Sequence, residues 1–441
     1  MSTRPNIIFI FADDWGWGDL GCYGHRELKT PNLDGLAAGG TRFNRFYVTS
    51  GVCSPSRCSI ITGHYPARHM VHGHFARYDD NAQRDMPNWL DPEVTSLPRL
   101  MQQAGYRTAH FGKWHLGGGG GIHGHPDAPL VKEYGYDETR TWNGNGPTWH
   151  KTERWPFTLH NDPDDVWAGA SAELAVEETI TFVDQVGEGP FFINLWIKDP
   201  HTPLRPTKEQ REEYPDTPEP YQTYYSVLTE ADKQIGRLLD HLEESRLMEK
   251  TLILFSSDNG PESQFPGNHE TQWCVGDTGG LRGRKRSLFD GGVCVPFIVH
   301  WTGKVPAGVI NDSACLSSVD LFPTLLSMAG VELPDGYTPD GVNVSEALYG
   351  KNFKRKVPLM WEWMFSNSKE MDEWAKYAVR DEDYVLLLNP ETGRMELYNT
   401  REDRSQVIDL AERFPEKVKE LQQASLEWHQ LLPRYRASDL D

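Results

Sequence analysis

The residues best suited to chemistry in this chain follow directly on short apolar runs. Asp13-Asp14 closes the run Asn6–Ala12 (NIIFIFA), and Asp258-Asn259 follows TLILFS at 251–256 and Ser257. Three carboxylates and an amide oxygen form the donor set that a hard divalent cation prefers. Oxygen-only ligation favours calcium, with magnesium second. One Asp pair after a strand would read equally well as a turn or helix cap; the two pairs, Asp13-Asp14 and Asp258-Asn259, at equivalent positions favour a metal. Two further runs end in basic and proton-carrying residues. The stretch 108–111 leads into Gly112-Lys113-Trp114-His115, and PFFINLWI at 190–197 leads into Lys198-Asp199-Pro200-His201. Lysine supplies a countercharge for an anion, and histidine moves protons near neutral pH. In isolation each would read as a solvated or core residue.

Cys53 opens a helix-like stretch, 54–62, closed by Gly63. A thiol at a helix N-terminus has a lowered pKa and is a candidate nucleophile, whereas a lone cysteine is otherwise a buried structural thiol. Position alone leaves both readings open. The segment 64–77 carries His64, His69, His72 and His74 with Arg68 and Arg77. Its spacing is not compelling for zinc, and His72, His74 and Arg77 are expected to line a substrate pocket beside Cys53. Trp142, Trp149, Trp155 and Trp167 fall in a polar, Gly/Pro-rich insert after His115. Such flat faces either stack on sugar rings, with Trp142 the candidate, or pin the loop to the body.

The elements that must position these residues alternate along the chain. Apolar runs at 6–12, 108–111, 190–197, 251–256 and 296–301 read as strands, and 96–104, 168–186 and 229–242 as helices. Continuous apolar strands alternating with helices predict an α/β fold with a large, mostly parallel sheet sandwiched by helices. Ligands in such sheets bind beyond the carboxyl ends of the strands, where the Asp, Lys and His residues fall. From about residue 353 the pattern changes to short strands at 357–363, 377–379, 384–388 and 395–398, then an amphipathic helix at 415–432. The expected organisation is a catalytic α/β domain at 1–352 and a C-terminal subdomain of antiparallel sheet plus helix at 353–441.

Bulk properties exclude several classes. The 441 residues are 38% hydrophobic and 24% charged, with 64 acidic against 44 basic side chains and a net charge of −20. No basic face of the nucleic-acid-binding kind stands out, and no apolar stretch approaches the ~20 residues of a membrane span. An acidic protein that handles anions needs a local basic pocket. The six cysteines are too scattered for a disulfide framework or a structural zinc site. The chain starts Met1-Ser2-Thr3-Arg4-Pro5 and enters a strand without a signal-peptide core, so a cytoplasmic protein and a periplasmic or secreted one lacking its leader are both consistent with it.

Cys53-Ser54-Pro55-Ser56-Arg57, followed by Ile61-Thr62-Gly63, resembles the signature of the type I, formylglycine-dependent sulfatases of the alkaline phosphatase superfamily. Phe11–Leu20, Gly112–Gly117, Asp199-Pro200-His201, Ser257–Gly260, Gly283-x-Lys285 and Gly291-Gly292 are similar to further motifs of that family, in the same order. The resemblance runs from about 5 to 303 and continues more weakly into Glu396–Asn399.

It implies an alkaline phosphatase-like fold and hydrolysis of a sulfate ester. Cys53, oxidised to formylglycine by a cellular modification system, would present a hydrated aldehyde as nucleophile and pass through a covalent sulfate hemiester. Asp13, Asp14, Asp258, Asn259 and residue 53 would ligate the cation; Lys113, Lys285 and His201 would hold sulfate; Arg57 would orient the gem-diol. His201 would protonate the leaving group, and His115 would take the proton that triggers sulfate release. The tryptophan-rich insert points to a sulfated polysaccharide or a derived oligosaccharide as substrate. A phosphodiesterase or phosphonate monoester hydrolase on the same scaffold is one alternative, and a non-catalytic sulfated-glycan binder another.

Overall fold

Every residue of Asn6–Ala12 is buried. Successive side chains of a strand point to opposite faces, so both faces of this strand are covered. The computed structural model describes residues 4–117, 127–142, 171–187, 189–202, 204–263, 274–365 and 372–433. A large sheet is built from β1 (Asn6–Ala12), β2 (Thr41–Tyr47), β3 (Arg107–Lys113), β4 (Glu138–Trp142), β5 (Phe191–Trp196), β6 (Thr251–Ser257), β7 (Cys294–His300), β8 (Val309–Asn311) and β9 (Leu316–Ser317). Its order is β4-β3-β5-β1-β6-β7-β2-β8, with β9 also paired to β2. The central strands β1, β5 and β6 are the apolar, β-branched and aromatic runs, and all three are fully buried.

All pairings among β4, β3, β5, β1 and β6 are parallel. The run at 296–301 departs from the expected pattern, because β7 lies antiparallel to both β6 and β2. The chain leaves β6 at the site end of the sheet and enters β7 from that same end, where Gly260 packs on Gly291, so β7 runs back and its carboxyl end points away. Strand β2 is not evident from the sequence pattern, since Arg42, Asn44 and Arg45 interrupt its apolar positions. It is an outer strand that ends just before Cys53. The helices Pro31–Ala38, Ser171–Val186 and Tyr221–Glu244 pack together, while Cys53–Thr62, Leu97–Gln103 and Leu321–Ala329 form a second group. The helix Tyr221–Glu244 extends well beyond the expected 229–242.

A second, antiparallel sheet contains β10 (Leu359–Glu362), β11 (Tyr377–Asp381), β12 (Tyr384–Asn389) and β13 (Arg394–Asn399), in that order, and the helix Pro415–Gln430 packs on β11 and β12. Its first strand is fastened to the segments flanking Cys53. Trp361 Nε1 donates to the Val48 carbonyl at 2.7 Å, and the Met360 amide to Tyr65 Oη at 3.2 Å. Glu362 lies 2.5 Å from His72 Nδ1 and 3.5 Å from His429 Nε2. Buried Arg380 on β11 pairs with Asp290 ahead of β7. Among the described residues no helix is long and apolar enough to cross a membrane.

Burial would raise the pKa of Glu362, but hydrogen bonds and charge from His429 and His72 outweigh it and hold the carboxyl down at about 2. A carboxyl held below its ordinary 4.5 contributes stability above that value, and the contribution fades as pH falls from 4.5 to about 2. Urea unfolding of the wild-type protein and Glu362→Gln should show the variant less stable by about 3 kcal/mol above this window, with the gap closing inside it. A gap that stays constant across the window would contradict the assignment.

Candidate active site

Parallel pairing of β1 and β6 in the register Ala12↔Ser257 brings the next residues of the two strands side by side. The Asp258 amide donates to the Ala12 carbonyl at 3.1 Å, and the Asp14 amide to Asp258 Oδ1 at 3.2 Å. Asp13, Asp14, Asp258 and Asn259 are all buried in one group. Asp14 holds this position with φ at 66°, a left-handed conformation that is strained for a residue with a Cβ. Beyond Asn259 the backbone presses against the turn ahead of β7: a Cβ on Gly260 would lie 1.9 Å from the Gly291 carbonyl oxygen. This contact explains the glycine at 260, and the Gly283 carbonyl oxygen, 2.1 Å from where a Cβ on Gly291 would lie, explains the one at 291.

Three cations from three other elements meet these carboxylates. Arg57, from the helix Cys53–Thr62, directs Nε and Nη2 to Asp258 Oδ2 at 3.0 and 2.7 Å, and Nη1 to the Lys113 carbonyl at 2.9 Å. Lys113, the last residue of β3, places Nζ 2.5 Å from Asp13 Oδ2. Lys285 Nζ reaches both oxygens of Asp14 at 2.6 and 2.7 Å. Its own loop is fixed by the Lys285 amide on the Pro261 carbonyl and the Arg286 amide on the Gly51 carbonyl. Burial raises the Asp13 pKa, but Lys113, His201 and Arg57 overcome it and hold the group far below the carboxylate range. Asp258 is pushed the other way, to about 7, by burial and by Asp13.

Cys53 is buried at the start of its helix. Burial pushes its thiol up, against the helix terminus and the nearby Lys113 and Lys285. Of the two readings that position leaves open, burial favours the neutral thiol over the thiolate, because desolvation disfavours the charged form here. Its Sγ lies 3.1 Å from His115 Nδ1, and His115 Nε2 lies 3.2 Å from the Phe75 carbonyl. A carbonyl only accepts, so Nε2 carries the proton and Nδ1 presents a bare lone pair to Cys53. His115 is also held in the left-handed region, with φ at 53°. His201 has Nδ1 2.9 Å from the Thr202 carbonyl and Nε2 3.8 Å from Asp14 Oδ2. Both imidazoles are driven well below their ordinary pKa, first by burial and then by Lys113 for His115 and by Lys285 for His201.

The donor set fits a divalent cation. Among the described residues Asp13 Oδ1 and Asn259 Oδ1 are buried without a hydrogen-bond partner, and an orphaned buried oxygen is costly unless a ligand satisfies it. Ligand atoms of Asp13, Cys53 and Asp258 lie within 4.8 Å of one another, as do those of Asp13, Asp14 and His201. All the oxygens are hard donors.

The remaining candidates fall in different places. His74 lies beside the site, its ring 6.4 Å from that of His115. His72 has its Nδ1 bonded to Glu362 of the second sheet. Arg77 is exposed, at the start of the helix Tyr78–Gln83. Trp142 ends β4 in register with Lys113, and Trp149, Trp155 and Trp167 lie outside the described residues. Two contributors were not evident in the sequence. Glu262 lies 3.6 Å from Lys285 and also pairs with Arg286. The Phe75 carbonyl carries no side-chain signal at all.

The profile of the family described as Sulfatase matches residues 5–331, most of the chain. The chain belongs to the sulfatase family. A second profile, N-sulphoglucosamine sulphohydrolase, C-terminal, matches residues 283–430. The sulfatase is 32% identical to arylsulfatase G of Rattus norvegicus over 384 residues, covering 80% of this chain and 70% of that protein. It is 27% identical over 496 residues to the N-acetylgalactosamine-6-O-sulfatase of Bacteroides thetaiotaomicron, covering 95% and 92% of the two chains. Its fold is similar to the crystal structure of Ps i-CgsB in complex with k-i-k-neocarrahexaose, with a TM-score of 0.77, 24% identity, and coverage of 97% and 93%.

Replacing Arg57 leaves Asp258 buried without its cation. Arg57→Met should lose about 3–5 kcal/mol of stability in chemical denaturation. A loss below about 1 kcal/mol would show that this ion pair does not hold the cluster together.

Proposed function

We propose that this sulfatase removes sulfate from a sulfated carbohydrate, with Cys53 oxidised to formylglycine by a modification system of the host cell. The observation that carries this reading is the buried Cys53 side chain, within ligand reach of Asp13 and Asp258 and 3.1 Å from a bare nitrogen of His115. A hydrated aldehyde at this position offers one hydroxyl to attack sulfur and a second whose deprotonation expels sulfate. Asp13, Asp14, Asp258, Asn259 and residue 53 would hold a divalent cation, calcium in our reading with magnesium second, which would supply Lewis-acid charge.

The protein's own groups divide the remaining work. Arg57 opposes the burial that raises Asp258 and aims its carboxyl, and it is tied to the Lys113 carbonyl, so it positions the base of the site more than it touches residue 53. Lys113 and Lys285 bring positive charge against the sulfate oxygens in a dry pocket, where such charge acts most strongly. His115 takes a proton at Nδ1 from the group at residue 53, because its Nε2 proton is committed to the Phe75 carbonyl. His201 has Nδ1 committed to the Thr202 carbonyl, which leaves Nε2 to carry the proton delivered to the leaving alkoxide. Its proton affinity is low in the free site, and an arriving anionic ester raises it.

A saccharide substrate is supported by the bacterial relative named N-acetylgalactosamine-6-O-sulfatase. His74, at the rim, and Trp142, at the end of β4, are the candidate sugar contacts. The expected result is release of inorganic sulfate from sulfated amino-sugar saccharides, with formylglycine found at position 53 by mass spectrometry of the tryptic peptide. Cys53→Ala should lose roughly 10⁴-fold or more in kcat, as when a nucleophile is deleted. Faster turnover of aryl phosphate or phosphonate esters than of every sulfate ester would instead favour a phosphorus-ester hydrolase.

A further inference from the structure

The cations at the floor of the site are already neutralised: Arg57 by Asp258, Lys113 by Asp13 and Lys285 by Asp14. Arg286 at its side pairs with Glu262. Arg84, which ends the helix Tyr78–Gln83, is different. Its Nη1 donates to the His74 carbonyl at 2.9 Å, and its guanidinium carbon lies 5.3 Å from the centre of the Phe365 ring. Among the described residues no carboxylate pairs with it, so most of its five N–H donors remain available. The side chain is half-buried, not extended into solvent.

Its surroundings are built. Phe365 is held edge-to-face by Trp363, with ring centres 5.4 Å apart. It presses on the loop that carries His72 and His74, since a Cβ on Gly73 would lie 2.6 Å from its ring. The His74 imidazole has no hydrogen-bond partner among the described residues; its ring lies 6.4 Å from that of His115, and its backbone carbonyl takes the Arg84 bond. Burial and then Arg84 push its pKa down to about 3, so it is neutral at ordinary pH and able both to donate and to accept.

We infer that Arg84, braced by Phe365 and the His74 carbonyl, is a second anion subsite that takes a carboxylate or a further sulfate on the same saccharide whose sulfate ester is cleaved. This inference rests on the carbohydrate-sulfatase reading above. A guanidinium fork matches two oxygens of either group. The Phe365 face beside the guanidinium holds its plane without competing for its N–H donors. With a net charge of −20 over the whole chain, local cations must draw an anionic substrate in. His74, whose ring neighbours His115 and whose carbonyl holds Arg84, is then the side chain offered to the sugar hydroxyls.

The test compares kcat/KM of the wild-type enzyme, Arg84→Gln and Arg84→Lys on three saccharides that share one scissile sulfate. The first adds a second sulfate, the second a uronate carboxylate, and the third neither. The wild type is expected to prefer one doubly charged substrate by about tenfold or more, expressed in KM; which one wins identifies the group. Arg84→Gln should bring that preference to within about twofold, and Arg84→Lys should keep part of it, because a lysine retains the charge without the fork. Equal rates on all three substrates, or a preference that survives in a well-folded Arg84→Gln, would overturn the subsite alone. Sulfate release from none of the three would overturn the carbohydrate-sulfatase reading, and the subsite with it.

Discussion

Three carboxylates stand side by side in a dry part of the molecule, and the arrangement is tolerable only because three cations from distant segments reach them. Asp13, Asp14 and Asp258 are buried next to Arg57, Lys113 and Lys285. Leaving any one carboxylate uncompensated there is expensive. The carboxylates come from the ends of β1 and β6, and the cations from the helix Cys53–Thr62, the end of β3 and the loop before β7. Charge neutralisation therefore ties together elements that are far apart in the sequence. After that pairing, the Oδ1 atoms of Asp13 and Asn259 are still unsatisfied. The cluster is balanced as a salt-bridge network and incomplete as a hydrogen-bond network, which is the condition expected of a cation site.

The outer parts of the structure serve this cluster by holding side chains in one orientation. Asp14 and His115 occupy left-handed backbone positions, which persist only when surrounding contacts over-determine them. The tautomer of His115 is set by the Phe75 carbonyl, and Phe75 belongs to the segment that β10 clamps through His72 and Glu362. The second sheet thus acts on the chemistry at one remove. Its first strand supports the loop whose carbonyl decides which nitrogen faces Cys53.

Much of this is legible in the sequence because it depends on local patterns. The unbroken apolar runs of β1, β5 and β6 announce strands covered on both faces, and parallel strands place their following residues at one edge of the sheet. Those two rules alone are enough to bring Asp13, Asp14, Lys113, His201 and Asp258 together. What they do not reach depends on direction or environment. The antiparallel course of β7 follows from where the chain is left after Asn259, which composition does not encode. Polar residues in β2 hide a strand that is buried only by its neighbours. The choice between thiol and thiolate at Cys53, open from position alone, depends on burial, which raises the thiol. The pairing of His72 with Glu362 spans 290 positions, and the roles of the Phe75 and Thr202 carbonyls have no side-chain signature. Arg84 is an ordinary helix-end arginine in sequence and becomes notable only against Phe365 and His74.

The central claim is that the two unpaired oxygens complete a cation site in this pocket. Isothermal titration of metal-free protein with calcium tests it most directly, comparing the wild type with Asn259→Leu, which removes one of those oxygens. The account predicts one saturable site per chain in the wild type, with affinity weakened by about tenfold or more in the variant. Absence of binding in the wild type, or equal affinity in the two proteins, would contradict it.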